Sequence, residues 1–133
     1  MLVYKWTIKE EGLFYPLRNY NVDSFDIGKI YPHYKIGHTY NTKCRKRYDT
    51  RSRRDNLMNG LSNYIGFHFW KKIMNSWFSK YNHCLKYYNM PTINAILLCN
   101  VNMPDIFIEN KHQLVACKFE VIKEEQYEKL VYI

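Results

Sequence analysis

Residues 93–101 are apolar at almost every position. A half-buried strand alternates apolar and polar side chains, whereas a run that is apolar on both sets of positions needs cover on both faces. The sequence therefore demands a sheet whose central strand is shielded on each side, and the rest of the chain has to supply the shield. Residues 114–122 read as another strand, with Val115, Cys117, Phe119 and Val121 toward the core and Lys118 and Glu120 pointing away. Residues 2–8 alternate and are rich in β-formers, which predicts a strand. Glu10, Glu11 and Gly12 then form a turn into a short second strand over 13–15, closed by Pro16.

One segment carries a different period. Phe69, Trp70, Ile73, Met74, Trp77, Phe78, Tyr81, Cys84, Leu85 and Tyr88 recur at three- and four-residue spacing, with Lys71, Lys72, Asn75, Ser79, Lys80, Asn82 and Lys86 between them. That spacing predicts an amphipathic helix of about five turns over 69–88. Pro91 cannot continue it. Residues 18–26 read as a polar loop, 27–40 as one or two short strands broken by Gly28, Pro32 and Gly37, 56–62 as a helical turn and 124–132 as a terminal helix. The order of strands, one long helix, then strands predicts an α+β fold: a single antiparallel or mixed sheet with one long amphipathic helix packed on one face. Residues 1–133, 47% hydrophobic and 17% aromatic, suffice for a single compact domain around one core.

The charge is concentrated. Between Lys43 and Arg54 lie seven basic side chains and one acid, which carry six of the formal +8. Lys43, Arg45, Lys46, Arg47, Arg51, Arg53 and Arg54 repel one another unless an anion relieves them, so a basic surface loop at 43–55 points to an anionic partner. Arg and Lys would meet phosphates, and the interleaved Tyr48 would stack on a base. An acidic host protein presents the same charge. Nucleic acid or an acidic host protein is therefore the expected partner, while the oligomeric state stays open.

The four cysteines, Cys44, Cys84, Cys99 and Cys117, are widely spaced and contain no C-x-x-C, which suits free thiols in a reducing, cytoplasmic setting. They do not make a zinc pattern: His83 and Cys84 are adjacent and diverge on a helix, and Cys99 and Cys117 fall in predicted core strands. No metal or other cofactor is expected. No run is long enough for a membrane span, and the N-terminal residues do not read as a signal peptide.

At several points the chain resembles a group of small, uncharacterised proteins of phages and large DNA viruses. The resemblance rests on Tyr4-Lys5-Trp6, on the aromatic-flanked glycine of Tyr34-Lys35-Ile36-Gly37-His38-Thr39-Tyr40, on Gly66-Phe67-His68, and on Leu98-Cys99-Asn100-Val101. Phe69-Trp70 stands where many members carry a cysteine, so no metal or thiol chemistry transfers. The resemblance implies a viral or phage accessory protein with one compact domain, and it implies no activity. The Asn, Lys, Ile and Tyr bias agrees with an AT-rich genome.

Gly66-Phe67-His68 falls at the predicted strand-to-helix junction. Glycine there permits close backbone approach. His68 near a helix N-terminus would meet an anion or act as acid or base; as a structural residue it would cap the helix or bond a neighbouring loop. The enzyme alternative is a small nucleotide-processing or ADP-ribosyltransferase-like domain using His68, Glu120 on the late strand and Tyr4. The leading expectation is a non-enzymatic binder acting through the basic loop.

Overall fold

The computed structural model describes residues 1–16, 33–46, 61, 64–73, 75–87, 89 and 92–126, with residues 75–78 and 81 described by their backbone alone. Ten strands and one α-helix are found among the described residues. The strands are β1 (Leu2–Glu10), β2 (Leu13–Pro16), β3 (Thr39–Asn41), β4 (Arg45–Lys46), β5 (Tyr64–Ile65), β6 (Phe67–Trp70), β7 (Ala95–Asn100), β8 (Ile106–Glu109), β9 (Gln113–Ala116) and β10 (Lys118–Glu125); the helix is α1 (Asn75–Tyr87). The main sheet runs β3-β10-β7-β1-β6-β9-β8, with β2 paired to β1, while β4 and β5 pair separately. Every strand pairing is antiparallel.

This arrangement corrects the expected fold class. The described residues are mostly β-sheet, and the helix among them is 13 residues long rather than a five-turn element spanning 69–88. Phe69 and Trp70 belong to β6, where Phe69 pairs with Leu114 and Trp70 with Gln113 on one side, and Trp70 with Tyr4 on the other. Aromatic residues two apart satisfy a strand as readily as neighbours three or four apart satisfy a helix. Here the long-range partners decide, because the pairing buries Phe67 and Phe69 on one face and Trp70 on the other. The helix is tied to the sheet through Asn82, whose amide accepts from Ile93 N–H at 2.8 Å and donates to Ile93 C=O at 3.3 Å.

The predicted strand over 114–122 is two strands that meet at Cys117. In sheet order β9 and β10 have β6, β1 and β7 between them, yet one residue joins them. No flat sheet satisfies both conditions. The sheet must curl until its ends meet along one bent strand, as in a small barrel. The interior confirms the curl. The Phe119 ring on β10 lies 4.8 Å from Phe67 and 5.0 Å from Phe69 on β6, although strands so placed would be about 14 Å apart in a flat sheet. Cys117 sits half-buried in the bend and does not face the core as predicted. Its N–H bonds Asp105 C=O and its C=O accepts from Thr42 N–H, so the bend is held from both β8 and β3 sides.

Inside the curl lie Val3, Phe67, Phe69, Ala95, Leu97, Cys99, Val101, Leu114, Ala116, Phe119 and Val121, joined at one end by Phe14, Tyr34 and Tyr40. The outer face of the central strands is also buried: Trp6 and Trp70 stack at 4.3 Å, and Ile96, Leu98 and Val115 are covered. The β7 segment is thus shielded on both faces, as its composition demands. The β1–β2 hairpin turns on Glu11 (φ 51) and Gly12 (φ 79), the left-handed pair that a two-residue hairpin loop requires. In β10 a bulge at Ile122 resets the register between Val121 and Lys123. Downstream of it Glu124 reaches the Lys9 ammonium at 2.8 Å. Glu124 and Glu125 are therefore strand residues and Gln126 follows them without regular structure; residues 127–132 of the predicted terminal helix, the 18–26 loop and most of the 56–62 turn lie outside the described residues. Of the 27–40 segment, β3 and a bridge from Tyr34 to Phe14 are found.

Candidate functional site

Of the basic block, Arg47, Tyr48, Arg51, Arg53 and Arg54 lie outside the described residues. Its first part is not a loop. Arg45 pairs with Ile65 and Lys46 with Tyr64, so β4 and β5 form a small ladder beside the barrel. Lys43, Arg45 and Lys46 are exposed, while Ile65 is buried. The ladder is seated by close packing. A Cβ placed on Gly66 would stand 2.6 Å from Cys44 Sγ and 2.7 Å from Val115 Cγ1, so only glycine lets the segment before β6 pass so near Cys44. The Cys44 thiol also hydrogen-bonds Cys117, and burial together with that neighbour pushes its pKa far above the ordinary thiol value. Cys44 is thus a packed anchor rather than a reactive thiolate.

Directly opposite Lys46 on the ladder, Tyr64 meets Phe107 of β8 edge to face, ring centroids 6.1 Å apart. Phe107 is 40% exposed although it is a large apolar residue. It occupies the irregular position between Ile106 and Ile108, where the pairing with β9 slips. A bulge re-aims a side chain in this way. The result is a cation, a half-buried phenol and an exposed phenyl side by side on one surface.

His68 stands beside that surface, but its place corrects the expectation of a helix N-terminus. It lies within β6, paired with Val115, and α1 starts only at Asn75. Its Nε2 is 2.9 Å from Tyr64 C=O. A carbonyl oxygen only accepts, so Nε2 carries the hydrogen, and the contact holds β5 against β6. Of the other members of the enzyme alternative, Tyr4 is near His68 and Glu120 is not. Tyr4 sits across from Leu98 and Trp70, and Glu120 pairs with Asn100 on the far side of β7. Measured along the bent strand, Glu120 is about 16 Å from the residue opposite His68. Tyr4 is thus a diagonal neighbour of His68 on the outer face, while Glu120 lies two strands from Tyr4 and does not join them.

The residue that sequence reasoning missed is Lys5. It is only 8% exposed, and its side chain lies inside the barrel. Nζ donates to His68 C=O at 3.1 Å. It stands 4.8 Å from the Phe69 centroid, 5.7 Å from those of Tyr34 and Phe119 and 5.8 Å from that of Phe67. Burial lowers its pKa from 10.5 to about 8, opposed in part by Cys99. Burial raises the Cys99 thiol to about 12, opposed in part by the Lys5 ammonium. At neutral pH Lys5 is therefore an ammonium caged by ring faces, which attract cations, and Cys99 is a neutral thiol. The Val3-Lys5-Thr7 alternation held a signal of this kind, since one face of β1 carries both polar residues, but nothing in the sequence says that this face is the inner one.

No helix among the described residues is long and apolar enough to cross a membrane. Among the described residues, no group of three or more His, Cys, Asp or Glu side chains is placed to hold a metal ion. In comparisons with protein-family models, curated proteins and solved structures, nothing matches this chain.

Proposed function

We propose that this protein is a nucleic-acid-binding accessory protein, of phage or large-DNA-virus type, whose interface begins at the β4–β5 ladder. The observation that carries the reading is the seating of the basic block's leading edge. Lys46 is held on a paired strand, exposed and next to Tyr64, at the entry to a stretch that concentrates six of the formal +8 charges. Cations ordered on a framework meet phosphates without first losing the freedom of a loop, and the released counterions drive binding. An acidic host protein is the competing occupant, distinguished by experiment.

The test is fluorescence anisotropy with labelled DNA and RNA oligonucleotides across a salt series. Affinity is expected to fall steeply with salt. Lys43→Ser/Arg45→Ser/Lys46→Ser is expected to weaken binding and to flatten the slope by about 0.7–0.9 for each phosphate no longer neutralised. Absence of salt-sensitive binding to every nucleic acid, alongside binding to an acidic polypeptide such as poly-aspartate, would transfer the site to the acidic-protein reading.

A further inference from the structure

We infer that the interface selects single-stranded over double-stranded nucleic acid, with Tyr64 and Phe107 as the platform on which unpaired bases stack. The inference rests on the proposed nucleic-acid function and specifies its substrate class. Its basis is geometric and separate from the charge. Phe107 spends 40% of its surface in water in a protein whose other phenylalanines with described burial, Phe14, Phe67, Phe69 and Phe119, are all 7% exposed or less. The slip in the β8–β9 register turns it outward, and Tyr64 supports it edge to face at 6.1 Å. Exposed ring surface of this kind is what a nucleobase stacks on. In duplex DNA the bases are already stacked on one another, and their faces are closed to a flat protein ring. Only unpaired bases offer both a π-face and a phosphate within one nucleotide. Lys46 stands cross-strand from Tyr64, which puts a cation next to the platform.

The experiment compares a labelled single strand with a hairpin duplex carrying the same number of phosphates, using full-length protein, wild type and the variants Phe107→Leu, Tyr64→Leu and Lys46→Ser. A 2-aminopurine placed in the single strand reports stacking directly. Wild type is expected to prefer the single strand and to quench 2-aminopurine. Phe107→Leu should weaken single-strand affinity by about 5- to 100-fold, the size of one base-stacking interaction, remove the quench, and leave duplex affinity and the salt slope unchanged. Because Phe107 is outside the core, its replacement tests stacking even where Tyr64→Leu perturbs the ladder. Lys46→Ser should weaken both ligands and reduce the slope. Equal affinity for both ligands, or Phe107→Leu with wild-type single-strand affinity and quench, overturns the stacking platform while leaving phosphate binding in place. Absence of salt-sensitive binding to both ligands in the wild type overturns the functional proposal and this inference with it.

Discussion

Replacing Lys5 by Met should make the protein more stable at neutral pH and should abolish a specific part of its pH dependence. In the folded state burial holds the Lys5 pKa at about 8, against 10.5 when the side chain is free in water. Between those values the unfolded chain binds a proton that the folded chain does not, so stability rises with pH across the window. Below about pH 8 both states are protonated, and the full penalty of the buried charge is present. A shift of about 2.5 units corresponds to about 3 kcal/mol at 1.36 kcal/mol per unit. Met removes the charge and fills the same space, but leaves His68 C=O without its donor, at a cost of about 1 kcal/mol or more. The net expectation at neutral pH is a gain of about 1–2 kcal/mol, or several degrees in Tm. The assay is urea unfolding followed by tryptophan fluorescence, for wild type and Lys5→Met at a series of pH values from neutral to about 10, near the free-lysine value. The quantity read is the difference between the two proteins, which cancels the titration of tyrosines and surface lysines. The variant's advantage should shrink as pH rises through the window. A difference that stays flat, or a variant less stable at neutral pH, would refute the reasoning and mean that the ring faces of Phe69, Tyr34, Phe119 and Phe67 stabilise the ammonium as well as water does.

Three further outcomes follow from packing and burial. Gly66→Ala should destabilise by about 1–3 kcal/mol through overpacking against Cys44 and Val115, and adding Cys44→Ala should restore part of the stability in thermal melts; a neutral Gly66→Ala would contradict the close approach. Phe119→Ala empties the point where Tyr34, Tyr40, Phe67 and Phe69 meet, and denaturant titration should show a drop of about 3–5 kcal/mol. Cys99, fully buried and with its pKa raised to about 12, should resist iodoacetamide in the native protein and react only in denaturant, as peptide mass mapping would show; rapid native alkylation would place it outside the barrel.

The sequence revealed strands better than their arrangement. Residues 93–101 announced a doubly covered strand because composition alone encodes that requirement, and Glu11-Gly12 announced a hairpin because few residues tolerate its backbone. The 69–88 stripe misled because Phe69 and Trp70 carry helical spacing to Ile73 while Phe69 also fits period two with Phe67, and only the partners on β1 and β9 decide between the two. The bend at Cys117 has no local signal: an uninterrupted β-rich run contains it, and closure of the sheet places it. At the site, Lys43, Arg45 and Lys46 were legible from charge, whereas Tyr64 and Phe107 were not, since a register slip between two distant strands exposes one ring beside the other. Lys5 was hidden for the opposite reason: alternation identifies a strand but does not say which face turns inward.

The position of β1 has a consequence for how the protein is made. Its two long-range neighbours are β6 and β7, so β1 gains the first of them only after residue 70 has been added and the second only after residue 100. At about 5–20 residues per second the growing chain carries β1 without either partner for about 3–12 s. Throughout that interval only the hairpin with β2 is available to it, and Val3 and Trp6 face water or whatever chaperone occupies the ribosome exit. Exposure of β1 to aggregation therefore depends on translation speed between residues 17 and 70 as well as on the stability of the finished barrel.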